Sequence, residues 1–327
     1  MREQIALSIS LSIALAVSAP TSFAPTSFAL RIQSSTPLEP KQQLKVAESA
    51  ARDFAGIQNV VAFHSDFYSG SAPESEIGFQ SLDSLGIKTI LSVDGAIPEV
   101  NLAQKHGMRY VHLPIGYDGF DDVRKAQLVR AVRDLPKPIY LHCHHGKHRS
   151  AGAAGTVAVS LGWLTNDEAL TLMKVCGTAA GYKGLWACTA AATPMTAIAI
   201  DAASNDFPQI TKPDSFIASM VAIDETFDRL KLAEKNGWKA PQDHPDLAPI
   251  SDAGKLADLF RLIGEPPTKS GHDADKIEMS AWFASDEKKA NDLEKMIERP
   301  DAKQDEMSQV LSAITASCKQ CHVKYRD

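Results

Sequence analysis

The chain has 327 residues, 44% of them hydrophobic and 23% charged, with a mean hydropathy of −0.16. This composition excludes a disordered or collagenous chain, and the length exceeds what one small core organises, so two domains are expected. The net charge is −6: residues 1–213 carry 18 acidic and 18 basic side chains and residues 214–327 carry 22 and 16, so the excess is C-terminal and no basic tail points to nucleic acid.

Residues 1–29 read as an export signal, with Arg2 as the positive start, an apolar run from Ile5 to Val17, and Ser27-Phe28-Ala29 as the cleavage end. The apolar run is short and rich in serine. The expected product is therefore periplasmic, or otherwise exported from a bacterial cell, and does not span a membrane once the signal is removed. Residues 30–54 form a lead-in, Pro/Gln/Ser-rich at first, with a short helix expected over Lys45 to Phe54.

From Val60 the pattern alternates between strands and helices. Val60 to Tyr68 reads as a strand and Glu74 to Leu85 as a helix closed by Gly86. Ile87 to Val93 is a buried strand, Glu99 to His106 a helix, Arg109 to Ile115 a strand and Asp122 to Leu135 an amphipathic helix. The short apolar run Pro138-Ile139-Tyr140-Leu141 is a further strand, and Ala151 to Leu161 a helix. Repeated β–α units over residues 55–205 imply an α/β domain with a central, mostly parallel sheet and flanking helices.

Between that last strand and helix lies His142-Cys143-His144-His145-Gly146-Lys147-His148-Arg149-Ser150. A tight loop between a strand and a helix N-terminus gathers backbone N–H groups around an anion, and the same field favours the thiolate of Cys143, the nucleophilic form. Arg149 can grip two phosphate oxygens with its planar fork. Gly146 lets the backbone turn without a Cβ in the way, and Ser150 can hydrogen-bond the Cys143 sulfur.

His-Cys-x-x-Gly-x-x-Arg-Ser resembles the signature loop of the cysteine-dependent protein tyrosine and dual-specificity phosphatases. The Gly146-Lys147-His148-Arg149 version is similar to the atypical dual-specificity phosphatases of plant and fungal type, some of which act on inositol pyrophosphates. The resemblance covers residues 55–205. It implies hydrolysis of phosphate monoesters through a cysteinyl-phosphate, on a phosphorylated small molecule or a phosphoprotein. Cys143, Arg149 and Ser150 would be catalytic, and His144, His145, Gly146, Lys147 and His148 would bind phosphate. Such enzymes use an acid from a loop upstream of the cysteine. In Gly116-Tyr117-Asp118-Gly119-Phe120-Asp121-Asp122 the candidate is Asp118, which could equally be a turn aspartate; Asp121 and Asp122 suit the start of the next helix.

The histidines of the stretch also invite a zinc reading, but a loop curled around an anion turns most side chains outward, and no metal is expected there. Asn166 to Cys176 is a further helix with Thr165 as N-cap, followed by Ala-rich helical sequence over Gly181 to Ala203. Cys176 and Cys188 are either a disulfide or two core thiols.

Residues 206–213 read as a linker, and residues 214–327 carry helical periodicity alone: Ser215 to Glu234, Asp252 to Ile263, Asp273 to Ile297 with a break near Ser285, and Asp301 to Tyr325. This predicts an all-α four-helix bundle. Its last helix holds Cys318-Lys319-Gln320-Cys321-His322, and Cys-x-x-Cys-His is the attachment sequence of covalent haem c. On a helix the three side chains share one face, so both thiols reach the haem vinyl groups while His322 reaches the iron. This ending, with Trp282-Phe283, resembles class II cytochrome c, the cytochrome c′ group, over residues 214–327. The resemblance implies a sixth ligand from the first helix, for which Met220 is the candidate beside a core-packing alternative, and a redox partner.

Two readings follow. One is an exported phosphatase fused to a cytochrome that transfers electrons or senses redox state or gases. The other is a periplasmic redox or gas-binding cytochrome whose phosphatase-like domain only binds an anion or a partner.

Overall fold

In the computed structural model, residues 50–211, 215–241, 247–263 and 273–325 are described. The expected export segment, most of the lead-in and part of the expected linker lie outside them. The described residues belong to one compact unit.

Six strands form one sheet in the order β1-β2-β3-β6-β4-β5. They are β1 (Arg52–Phe54), β2 (Ile57–His64), β3 (Phe67–Gly70), β4 (Thr89–Ser92), β5 (Arg109–His112) and β6 (Ile139–His142). β3, β6, β4 and β5 pair in parallel, as the β–α alternation predicts, whereas β1–β2 and β2–β3 are antiparallel. The sheet is therefore mixed rather than mostly parallel, and two sequence expectations change with it. Arg52–Phe54 is a strand and not the end of a helix. Val60 to Tyr68 is not one strand but two, because Ser65 and Asp66 turn the chain and Asp66 Oδ1 lies 2.5 Å from His64 Nδ1.

One face of the sheet is covered by α1 (Ser75–Ser84) and α2 (Val100–Lys105), whose Phe79, Leu82 and Ala103 pack on Ile57, Ile90 and Tyr110. The other is covered by α3 (Asp122–Asp134), α4 (Arg149–Ser160) and α5 (Asn166–Val175), which bring Leu128, Val132, Ala154, Val157 and Met173 onto Phe63, Leu91 and Leu141. The whole of α4 is buried. Its small residues permit this: a Cβ on Gly152 would lie 3.1 Å from Leu185 Cβ, and one on Gly155 3.0 Å from Thr189 Cγ2. Close packing here admits α6 (Lys183–Ala190), which α7 (Ala197–Asp201) follows.

The C-terminal region is helical: α8 (Phe216–Lys235), α9 (Pro249–Leu262), α10 (Asp273–Glu298) and α11 (Gln304–Tyr325). The helix expected to break near Ser285 is continuous. Ile223, Phe227, Leu230, Leu256, Phe260, Leu293 and Ile314 form its shared core. α9 also packs against the sheet region, where Ile250 joins the core around α4. The fit is close: a Cβ on Gly181 would lie 2.2 Å from Ile250 Cγ2, and one on Gly95 2.5 Å from Leu262 Cδ1. No described helix is long and apolar enough to cross a membrane.

β6 sits between β3 and β4, and in register Gly70, Ser92 and His142 end side by side. Everything that follows these three strands emerges at one edge of the sheet. Leu141, fully buried in β6, anchors that edge. Its replacement by alanine is expected to lower the unfolding free energy by about 3 kcal/mol in urea denaturation.

Candidate active site

Cys143 leaves the end of β6, and the loop through His148 delivers Arg149 as the first residue of α4. The loop is held from outside by its carbonyls. His144 O accepts from Ala72 N at 3.0 Å, Gly146 O from Asn59 Nδ2 at 2.8 Å, and Lys147 O from Thr178 Oγ1 at 2.6 Å. In a trans peptide the next N–H points the opposite way, so those of His145, Lys147 and His148 are turned toward the inside of the loop. Convergent N–H groups at a helix N-terminus form a cradle for an anion. Asn59, at φ 58°, uses its second Nδ2 hydrogen on Cys176 O at 2.8 Å, tying α5 to the loop. Gly146 is required twice over: its φ is +75°, and a Cβ there would lie 2.4 Å from Gly70 C.

Cys143 Sγ lies 3.3 Å from Ser150 Oγ, to which the thiol donates. Arg149 is 3% exposed and Cys143 4%. The Arg149 guanidinium stands 4.2 Å above the ring of Tyr117. Its Nη2 lies 2.6 Å from Asp258 Oδ2 and 3.4 Å from Asp94 Oδ1, whereas its buried Nε has no acceptor among the described residues. Arg261 Nη2 completes the group, 2.7 Å from Asp94 Oδ1 and 2.6 Å from Asp258 Oδ1. Burial opposes the charge of Asp94, but Arg149 and Arg261 outweigh it and hold the carboxyl well below the usual range. Burial likewise works against Arg149, and Asp258, Tyr117 and Asp94 outweigh it, so the guanidinium stays charged.

The histidines are engaged separately. His142 Nε2 is 2.6 Å from Tyr110 Oη and its Nδ1 3.0 Å from the Cys143 carbonyl; burial lowers its pKa to about 4. His148 stacks on Tyr182 at 4.1 Å and accepts from Ala179 N at 3.4 Å, and burial, with Lys147, His145 and Arg149, lowers it to about 3. The rings of His144 and His145 lie 4.2 Å apart. Burial, then His144, lowers His145 to about 4. No group of three or more His, Cys, Asp or Glu among the described residues could hold a metal ion.

Asp118 is exposed and lines a cavity of about 280 Å³ with Lys183, Gly184, Arg229, Ala248 and Ser251. It makes no hydrogen bond with Cys143, Ser150 or Arg149. Asp121 caps α3, accepting from Arg124 N at 2.7 Å. Cys176 and Cys188 are both free thiols. The sequence reading missed Asp94, Tyr117, Asp258 and Arg261. Asp94 was discoverable as a charged residue directly after a buried parallel strand. Asp258 and Arg261, three apart on α9, look in sequence like an ordinary helix-surface pair.

On α11, Cys318 and Cys321 are half-buried and His322 is exposed. Burial, with Asp286 and Cys321, pushes the Cys318 thiol up to about 11. Lys324 Nζ holds Glu278 Oε2 at 2.6 Å, and Tyr325 meets Trp282 edge-on at 5.8 Å, so α11 ends against α10. Gln304 Nε2 donates to Gly237 O at 3.4 Å, which sets α8 and α11 antiparallel and brings half-buried Met220 to the end that carries His322. Ile217, Val221, Ile277 and Val323, on the corresponding ends of α8, α10 and α11, are exposed apolar side chains. Two thiols and an imidazole at this spacing, beside apolar surface, are the donor set that covalent haem attachment requires.

No family model matches the chain, and no curated protein does. Three solved structures are among those similar to it. TpbA of P. aeruginosa is 20% identical, with a TM-score of 0.31 over 40% of this chain and 91% of that one. A DUF442 protein of Shewanella putrefaciens CN-32 is 18% identical, with a TM-score of 0.35 over 42% and 93%. The core catalytic domain of the PP-IP phosphatase SIW14 of S. cerevisiae is 17% identical, with a TM-score of 0.32 over 46% and 87%.

The buried histidines make stability depend on pH. A histidine whose folded pKa lies below its unfolded value takes up a proton on unfolding, so stability is full above the unfolded value and is lost as pH falls toward the folded one. With His142 moved from 6.5 to about 4, the decline by pH 4 is on the order of 3 kcal/mol from this residue alone. Urea denaturation at a series of pH values is expected to show it, with a shallower slope in His142→Gln.

Proposed function

We propose that the chain is an exported, cysteine-dependent phosphatase that hydrolyses phosphate monoesters and carries a cytochrome c′-like four-helix bundle with covalent haem c. The observation that carries the phosphatase reading is the buried Arg149, with a free Nε, beside Cys143 in a loop whose carbonyls are bonded outward. Cys143 attacks phosphorus as the thiolate, and the N–H groups of His145, Lys147 and His148 with Arg149 take the charge of the phosphoryl oxygens. The P–O bond to the leaving group breaks as the S–P bond forms. Water then attacks the cysteinyl-phosphate, and the sulfur leaves as thiolate with a hydrogen bond from Ser150.

Asp118 is the carboxyl of the upstream loop for protonating the leaving oxygen. It faces the cavity shared with Lys183 and Arg229, so this role requires Gly116–Phe120 to turn toward Cys143.

Cys318 and Cys321 would hold the haem, His322 would ligate its iron, and Met220 is the candidate for a second ligand. Bound iron would supply one-electron transfer or small-gas binding, with a redox partner for the first. The opposing reading, a cytochrome whose phosphatase-like part only binds an anion or partner, draws support from the near-complete burial of Cys143.

Turnover of an aryl phosphate by the exported protein separates the readings. Cys143→Ser is expected to abolish it and Arg149→Ala to lower kcat/KM by about 10²- to 10³-fold, with the haem spectrum unchanged in both. In Cys318→Ala/Cys321→Ala the covalent haem band is expected to disappear. A clean haem spectrum without hydrolysis of aryl or inositol phosphates would make the cytochrome the working part.

A further inference from the structure

One of the carboxylates on Arg149 does not come from the sheet region. Asp258 belongs to α9 of the C-terminal helical region, yet its carboxylate lies on the arginine of the Cys143 loop. Oδ2 accepts from Arg149 at 2.6 Å and from the Tyr117 hydroxyl at 2.9 Å, while Oδ1 accepts from Arg261 at 2.6 Å. One carboxylate thus takes three donors, two of them guanidinium groups, which is how a guanidinium site receives a phosphate edge. The neighbouring Arg149 Nε is buried and donates to nothing among the described residues. Asp258 therefore satisfies only part of a fork that an oxyanion with more oxygens would fill.

The surrounding contacts keep α9 in place. Ile250 and Leu262 fit against Gly181 and Gly95, and Gly254 lies where a Cβ would meet the Tyr182 hydroxyl at 2.9 Å. From α10, Glu294 accepts a hydrogen bond from the Tyr182 hydroxyl, and its Oε1 is 3.7 Å from His148 Nε2. On the outer side of Arg261, Glu287 Oε1 is 3.9 Å from Nε. Contacts of this kind seat a helix but put nothing on Arg149; among the described C-terminal residues Asp258 alone does so.

We propose that Asp258 is a pseudosubstrate latch: its carboxylate occupies the phosphate seat on Arg149, and the seat stays filled until that carboxylate is displaced. This rests on the phosphatase reading for its meaning but not for its test. A phosphate ester and Asp258 compete for one guanidinium, so the latch acts as a built-in competitive inhibitor. Whatever moves α9 by the length of a hydrogen bond turns the site on.

The test uses the full-length protein and Asp258→Asn, which keeps the side chain's shape and removes its charge, with Asp258→Ala as the second variant. Two quantities are read besides turnover: the rate at which iodoacetamide alkylates Cys143, and the affinity for inorganic phosphate. Both are expected to rise about tenfold or more in each variant, because an ion pair between buried groups is lost. Turnover of aryl phosphate is expected to rise with them. Unchanged alkylation and unchanged or weaker phosphate binding in Asp258→Asn would overturn the latch, whatever the turnover. Faster alkylation and tighter phosphate binding without hydrolysis in any variant would keep the latch and remove the phosphatase reading.

Discussion

A guanidinium taken out of water must be faced by anions, and the arrangement around Arg149 follows from that constraint. The residue is fixed at the first position of α4, a helix buried along its whole length, so the charge cannot swing to solvent. Asp94 is presented to it by the end of β4, and Asp258 arrives from α9. Arg261 then balances the two carboxylates. The sheet region and the helical region meet at this group of charges, and breaking any one member would leave another buried without its partner.

The same constraint organises the loop. Three carbonyls are bonded to the framework by Ala72, Asn59 and Thr178, from three separate places in the chain, and each bond turns an N–H inward. N–H donors therefore accumulate around Cys143 from backbone geometry, and the positive charge comes from the buried Arg149. The neutral histidines fit this picture, since further protonated side chains in the same space would raise the cost of burial.

Much of this was legible in the sequence. The Cys143–Ser150 stretch, its strand and its helix could be read from residue type and spacing, and so could Thr165 as a cap: the capping box with Glu168 is present. Helices α8, α9 and α11 were found within a few residues because their apolar spacing is regular. The β2–β3 hairpin was lost because Ser65-Asp66 is a weak turn signal inside an apolar run, and β1 because three residues carry no periodicity. The two members that α9 adds to the charge group around Arg149 were invisible for another reason. Asp258 and Arg261 are meaningful only through a contact across more than a hundred residues, and no local pattern encodes it.

The most direct test of the central claim is chemical trapping at Cys143. The full-length protein, and the Asp258→Asn variant, would be mixed with an aryl phosphate, quenched in acid within milliseconds and digested for mass spectrometry. The account predicts a phosphoryl group on the peptide carrying Cys143, absent when Cys143 is serine. Hydrolysis of the ester with the phosphoryl group on a histidine of the loop, or with no phosphoenzyme while Cys143→Ser remains active, would contradict it.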